Sequence, residues 1–400
     1  MDEDILPLQG IRVLEFSHAV LGPACGLVLA EMGATVIRVE RAPDGDETRR
    51  LKGFGIGYFP FFNRKKQSVA IDLKTAAGRD IVKRMTATVD VLIENFSPGA
   101  MERLGLDYRN VAAINPGLIY CSLKGFLPGP YEKRLALDEV VQMMSGLAYM
   151  TGPPGQPLRA GASVIDIMCG VFGALGVMTA LRQRDHDGRG RLIQSGLFET
   201  AAFVMGHHMA YAALTDGPVP PMPARVSAWA IYRTFASADG RQIFIGITSD
   251  RHWQRFCTVF GREELLADPE LATNNQRINK REWLLPQLEQ MFSTMSSDEI
   301  LRRCEEAAIP FAPVARPEDL FDDPHLIHSS SLVDVDLPGG TPTRLPRLPV
   351  LLDRRTPDSA QSLPVVGADT RQVLVELGYT ADEIAALHAA GVVTIADVDP

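Results

Sequence analysis

IRVLEFSHAVLGPACGLVLAEMGATVIRVE, residues 11–40, is the stretch on which the fold of this 400-residue chain turns. Residues 11–16 (IRVLEF) read as a β-strand and run into a turn, SHAVLGPA. An apolar helix follows over 25–32, and Gly33 closes it as the left-handed residue that a helix end favours. Residues 35–39 (TVIRV) then form a second strand. Strand, helix and strand within thirty residues make the unit of a parallel sheet, because parallel neighbours need a crossover between them. The pattern continues with strands at 68–73, 89–94 and 118–123, and the helix 75–87 supplies another crossover. This part of the chain is α/β.

Beyond Asp138 the reading becomes helical, over 139–149, 165–184 and 196–214, each segment apolar on more than one face and so expected between layers. GPVPPMP, 217–223, breaks the run. Residues 232–236 and 242–247, joined across Asp239-Gly240, read as a hairpin. Helices near 252–260, 284–295 and 297–307 complete a second, α+β domain. The Pro-rich segment 337–349 leaves it, and helices at 370–377 and 381–390 end the chain. The expected boundaries are therefore near Pro220 and Leu337.

Hydrophobic residues at 46% and charged residues at 22% describe a packed globular protein. A formal charge of -9, with both signs mixed along the chain, provides no electrostatic footprint for nucleic acid or an anionic membrane. Cys25, Cys121, Cys169, Cys257 and Cys304 are odd in number and widely spaced, which fits free thiols in a reducing cytoplasm. MDEDILPLQG is acidic where a secretory signal would be basic and then apolar, and no uninterrupted apolar run reaches membrane-spanning length. The expectation is a cytoplasmic protein without membrane or nucleic-acid partners.

Several chemistries lack their motifs. The first strand, turn and helix followed by a strand ending in Glu40 resemble a dinucleotide-binding unit, but the turn holds only Gly22 and Gly26 with Pro23 between, so GxGxxG is absent. No GxxxxGK[ST], HExxH or GxSxG occurs. The adjacent His207 and His208 would point about 100° apart on a helix and make a poor chelate, so no metal site is expected.

Positively, LPLQGIRVLEFSHAVLGPACGLVLAEMGATVIRVERAPDGDETR resembles the opening of the family III CoA transferases, also called the formyl-CoA transferase or carnitine CoA-transferase (CaiB/BaiF) family. NRKKQSVAIDLKTAAGRD, VDVLIENFSPGAMERLGLDY, INPGLIYCSLKGF, GASVIDIMCGVFGALGVMTALRQRDHDGRGRLIQSGLFE and IPFAPVARPEDLFDDPHL follow in the family's order. The resemblance implies a Rossmann-like large domain made of residues 1–220 and 337–400, a small domain of 221–336, and two chains interlocked as a homodimer. It implies a CoA thioester as substrate and no tightly bound cofactor.

The resemblance makes Asp166, in SVIDIMCG, the nucleophile. A carboxylate displacing CoA from a thioester forms a mixed anhydride; the incoming acid then exchanges, and CoA is re-esterified to it. Val164, Ile165, Ile167 and Met168 would desolvate Asp166 and raise its pKa, while a helix N-terminus with free N–H groups would oppose that. Read locally, Asp166 is equally a helix-start carboxylate or cap. The same resemblance places CoA against His18, Ala19, Val20, Arg41, Ile71, Lys74, Asn95, Phe96, Arg103, Lys124 and Gly125, most of them just past strand C-termini, where open α/β sheets bind ligands. Ordinary surface charge remains the other reading of Arg41, Lys74 and Arg103. Asp138 matches a second carboxylate beside the acyl group, or is a helix cap, and Gln142 is positioned to donate to an acyl oxygen.

Two departures shape the expected substrate. The glycine-rich lid of formyl-CoA transferase corresponds here to PMPARVSAWAIY, which has no glycine run and puts oxalate in doubt. Arg225 and Trp229 lie there instead, Arg225 as a partner for a distal carboxylate or as a linker arginine. Family habit and Arg225 make succinyl-CoA with a small dicarboxylic acid the expected pair. The related α-methylacyl-CoA racemases use a histidine in a GHDINY-like segment, where this chain has LALDEVV and Leu137. The racemase and a noncatalytic CoA- or NAD-binding module are the alternatives.

Overall fold

A computed structural model describes residues 6–225, 227–352 and 362–396. The chain divides into a larger unit, Met1–Ala224 with His325–Pro400, and a smaller one, Arg225–Pro324. The second crossing falls at 324/325 rather than near 337, because the Pro-rich stretch expected as a linker is itself partly a hairpin of the larger unit.

The larger unit opens with β1 (Arg12–Phe16), α1 (Leu21–Glu31), β2 (Thr35–Glu40), β3 (Gln67–Ile71), α2 (Ala76–Thr86), β4 (Val91–Glu94) and β5 (Ile119–Lys124). It continues through α3 (Asp138–Met144), α4 (Leu147–Thr151), α5 (Val164–Asp187), β6 (Arg191–Gly196), α6 (Leu197–Val204) and α7 (Gly206–Leu214). The smaller unit holds β7 (Ile231–Ala236), β8 (Gln242–Ile247), α8 (Asp250–Phe260), α9 (Arg281–Ser293), α10 (Ser297–Glu306) and β9 (Phe311–Pro313). β7, β8 and β9 form an antiparallel sheet whose core includes Trp253, Phe256 and Phe292. The chain then returns through β10 (Leu332–Leu337), β11 (Thr341–Pro346), α11 (Thr370–Glu376), α12 (Ala381–Ala389) and β12 (Val393–Thr394).

The large sheet runs β12-β3-β2-β1-β4-β5-β6. β1 to β6 are parallel, and β12 closes the β3 edge antiparallel, with Val393 opposite Ile71. Because side chains alternate along a strand, Val13 joins the core under α1 and α5, while Leu14 and Phe16 join the core under α2, α11 and α12. The strand order reverses between β1 and β4, and their C-terminal ends therefore flank a crevice, the usual ligand position in such sheets.

Three differences from the sequence reading have local causes. RLIQSG is a sixth parallel strand, not a loop before a helix; it sits at the sheet edge with half-exposed alternation, so it lacks the apolar run of a central strand. The helix expected over 139–149 breaks at Gly146, whose φ of +86° is outside the helical region. α5, 24 residues long, is apolar and long enough to cross a membrane by composition; nevertheless Ile165, Cys169, Ala174 and Val177 on it are packed into the core.

Candidate active site

β1 and β2 carry charge where alternation would place apolar residues. Glu15 and Arg38 face α1 near the strand ends, both buried, 2.7 Å apart. Lys66 Nζ lies 2.8 Å from the second Glu15 oxygen and also donates to the Pro23 carbonyl at 2.9 Å. Burial, only partly offset by Glu15, brings the Lys66 ammonium down to about 8. Burial opposes the Arg38 charge too, but Glu15 and Asp46 prevail and its pKa is raised. Arg38 donates to the Ser17 carbonyl at 2.9 Å, so the network grips the turn that follows β1. Gly26 is required here: a Cβ on it would occupy the space of the Glu15 carboxylate. This need for close helix approach explains a glycine spacing that does not fit GxGxxG.

Glu40 is likewise spent. It accepts from Arg49 at 2.5 Å, from the Ser68 hydroxyl at 2.7 Å and from the Asp46 amide at 2.8 Å. Burial raises its pKa, yet the Arg49 bonds outweigh that and hold it at about 2. An acid so committed is not available to a ribose, which removes the basis for the dinucleotide alternative.

Above this base, residues 17–20 form the turn into α1, with Ala19 in the left-handed region at φ +58°. A non-glycine residue there is costly and persists only when its surroundings hold it. Asn95, just past β4, supplies that restraint: its Oδ1 accepts from the His18 amide at 3.0 Å and its Nδ2 donates to the His18 carbonyl at 3.0 Å. The His18 ring rests beside Phe96, centroids 6.0 Å apart, and burial lowers its pKa, so the imidazole is neutral near pH 7. At the end of β5, Lys124 donates to Glu94 at 2.6 Å and to the Phe96 carbonyl at 2.7 Å. Gly125 lets the segment before α3 come close, since a Cβ on it would meet that of Ala136.

These residues enclose a cleft of about 410 Å³ in the larger unit, with Asp166 on its wall. Asp166 lies in the first turn of α5 and is partly exposed; among the described residues nothing donates a hydrogen bond to its carboxylate. Burial, then the negative charges of Asp138 and Glu139, pushes it up to about 7 against the pull of Arg159. Near neutrality it is therefore divided between a proton and a free charge. The expected help from free helix N–H groups is not there. Asp138 Oδ2 accepts from the Ile165 amide at 2.8 Å and the Asp166 amide at 3.0 Å, capping α5 from another helix.

Of the expected site residues, His18, Ala19, Val20, Asn95, Phe96, Lys124, Gly125 and Asp166 line this cleft. Others stand elsewhere. Asp138 and Gln142 are buried; the Gln142 amide donates to Asp138 and its oxygen accepts from the Ala160 amide at 2.8 Å. Gln142 thus braces Asp138 and does not line the cleft. The Ile71 side chain is in the core at the β12 seam, which leaves only its backbone for a ligand. Arg41, Lys74 and Arg103 are exposed and do not line the cleft, Arg41 lying 3.9 Å from Glu47. Arg225 is exposed and Trp229 packs on Tyr232 at 5.0 Å; both belong to the smaller unit. No cluster of three metal-ligating side chains occurs among the described residues.

The sequence reading missed Arg134, Leu135 and Val140 on the cleft wall, and Arg159 beside Asp138 at 3.8 Å. The available signal was KRLAL, residues 133–137, a cationic and apolar run in the connection between β5 and α3.

Comparison with known proteins follows the same lines. Residues 8–370 match the CoA-transferase family III. The succinate–glutarate CoA-transferase of Agrobacterium fabrum is 32% identical over 387 residues, 93% of this chain and 96% of that protein. The succinyl-CoA–D-citramalate CoA-transferase of Chloroflexus aurantiacus is 31% identical over 401 residues, 97% of this chain and 98% of that protein. A crystal structure of a CaiB/BaiF family protein from Brucella suis, 32% identical, matches with a TM-score of 0.81 over 94% of this chain and 100% of that one.

Proposed function

The chain belongs to CoA-transferase family III, and we propose that it moves CoA from an acyl-CoA to a small dicarboxylic acid through a mixed anhydride on Asp166. The observation that carries this reading is a carboxylate with no hydrogen-bond donor among the described residues, held at about 7, on the wall of a cleft at the switch point of the sheet.

In the first step an ionised Asp166 oxygen attacks the thioester carbonyl, the C–S bond breaks, and CoA leaves as its thiolate. A carboxylate freed from hydrogen bonds is a stronger nucleophile than a solvated one, and its pKa keeps a large ionised fraction at neutral pH. The acceptor's carboxylate then attacks the aspartyl carbonyl, releasing the donor's acid and leaving the acceptor as the anhydride. The thiolate attacks the acceptor's carbonyl, forms the new thioester and returns Asp166 as a carboxylate. Atoms and charge balance at each step, and no ATP is consumed. The residues 17–20 and Asn95 offer a stiff platform for the thioester arm, which supports the positioning such chemistry needs.

The expected pair is succinyl-CoA with a short diacid, in keeping with the relatives' names. The interlocked homodimer is part of the same proposal: Phe203 and Leu214 of α6 and α7 are 73% and 85% exposed, apolar surface that a second copy would cover. Light scattering on the purified chain tests that assembly.

The deciding experiment incubates the protein with acyl-CoA donors and free acids and follows new thioesters by mass spectrometry. Asp166→Ala is expected to abolish exchange, and hydroxylamine to trap an aspartyl hydroxamate in the wild type alone. Exchange persisting in the variant would overturn the mechanism.

A further inference from the structure

The cleft presents three basic side chains, His18, Lys124 and Arg134, and two of them are poor partners for an anion. His18 is neutral near pH 7 because burial lowers its pKa. Lys124 is fixed between Glu94 and the Phe96 carbonyl. Arg134 differs: among the described residues it makes no ion pair, and its guanidinium lies over the Tyr131 ring at 4.8 Å and 6.0 Å from Phe126. Stacking engages the face of a guanidinium and leaves its N–H edges free, which is the arrangement that receives a carboxylate through two parallel hydrogen bonds.

Its neighbours have a second peculiarity. Leu135 and Leu137 line the same cleft and are 79% and 66% exposed, well above the exposure at which an apolar side chain is shielded from water. Exposed apolar side chains lining one cleft with a nucleophile and an uncommitted cation suit a ligand with a reacting carbonyl at one end, a short methylene body and an anionic far end. We infer that Arg134 binds the distal carboxylate of a dicarboxylic acyl group whose reacting carbonyl is at Asp166, and so sets the preference for diacids over monoacids. This rests on the CoA-transfer reading above and adds the residue that selects the acid.

The alternative anion is a CoA phosphate. The two are separable because the phosphates are common to every reaction, whereas the distal carboxylate is not. In a double-displacement scheme kcat/KM for the acceptor reports that acid's own half-reaction. The full-length protein is therefore assayed with succinyl-CoA and either glutarate or valerate, which share five carbons and differ in the second carboxylate. Where valerate turns over too slowly to time, its Ki against glutarate replaces its kcat/KM.

Arg134→Leu is expected to lower kcat/KM for glutarate by roughly 10- to 100-fold, mainly through KM, and to leave valerate within about twofold. Arg134→Lys should restore part of the loss, since it keeps charge without the two-pronged geometry. Equal losses for both acids would assign Arg134 to CoA or to structure, and unchanged selectivity would remove it from recognition; either overturns the inference. So does a loss of glutarate selectivity in Arg225→Ala that Arg134→Leu does not show. Wild-type protein that forms no new thioester from any donor and acid would instead sink the transfer reading beneath it.

Discussion

Replacing Asp166 with Asn should stabilise the protein while ending its activity, and the gain should depend on pH. The carboxyl titrates near 3.8 when unfolded and at about 7 in the native chain. Between these values the native state holds more protons than the unfolded one, so the favourable contribution is complete below 3.8 and is lost as pH rises through 7. A gap of about three units, at about 1.4 kcal/mol each, sets a ceiling of about 4 kcal/mol above pH 7. Partial exposure of the group lowers this to about 2–4 kcal/mol. Asn removes the ionisation and breaks no contact, because the carboxylate accepts no hydrogen bond among the described residues. Thermal melts of wild type and Asp166→Asn at pH 5.5 and 8.5 should thus show the variant's advantage widening by about 2 kcal/mol, a shift of a few degrees. The wild-type kcat/KM should rise about tenfold per pH unit below 7 and level off above it. A variant no more stable at pH 8.5 than at 5.5, beside a flat activity profile, would refute the reasoning.

Asp138→Ala removes the acceptor of the Ile165 and Asp166 amides and a negative neighbour of Asp166. It should cost about 1–2 kcal/mol of stability, lower kcat more than KM, and move the acid limb of the pH profile downward. Asn95→Ala breaks both hydrogen bonds on the His18 backbone; relaxation of Ala19 should raise KM for acyl-CoA about tenfold with little change in melting temperature. Gly26→Ala forces a methyl into the Glu15 carboxylate among Arg38 and Lys66, and expression should yield insoluble or strongly destabilised protein, losing more than about 3 kcal/mol.

Much of the fold was legible before any coordinates. Strands β1 to β5 announce themselves through β-rich runs bounded by turns, and Gly33, Asp239-Gly240 and the proline stretches mark ends and boundaries. The strands that escaped, β6, β9 and β12, are all at sheet edges, the first half polar and the other two only three and two residues long. Their pairing is what makes them strands, and pairing is not a local property. The hairpin over β10 and β11 escaped for a related reason, since proline and glycine there read as linker.

The cleft divides in the same way. His18 to Val20, Asn95, Phe96, Lys124 and Gly125 follow strand ends, and a parallel sheet carries all its strand ends to one side, so their sequence positions imply their meeting. Asp166, on a helix far along the chain, was recognisable through family resemblance alone. Nothing in its neighbourhood distinguishes a nucleophile from a cap.

Order along the chain thus carries the α/β class, the switch-point crevice and the turn beneath it, because these follow from periodicity and from the geometry of parallel crossovers. Packing assigns the roles of the charges. Whether Asp138 caps α5 or faces a substrate, and whether Lys124 has a partner, depend on residues 27 to 30 positions away. Electrostatic energy is set by distance and burial, and only the folded chain supplies either. Asp166 is held at about 7 by burial and by carboxylates 28 and 27 positions earlier, a circumstance that no local stretch of sequence contains.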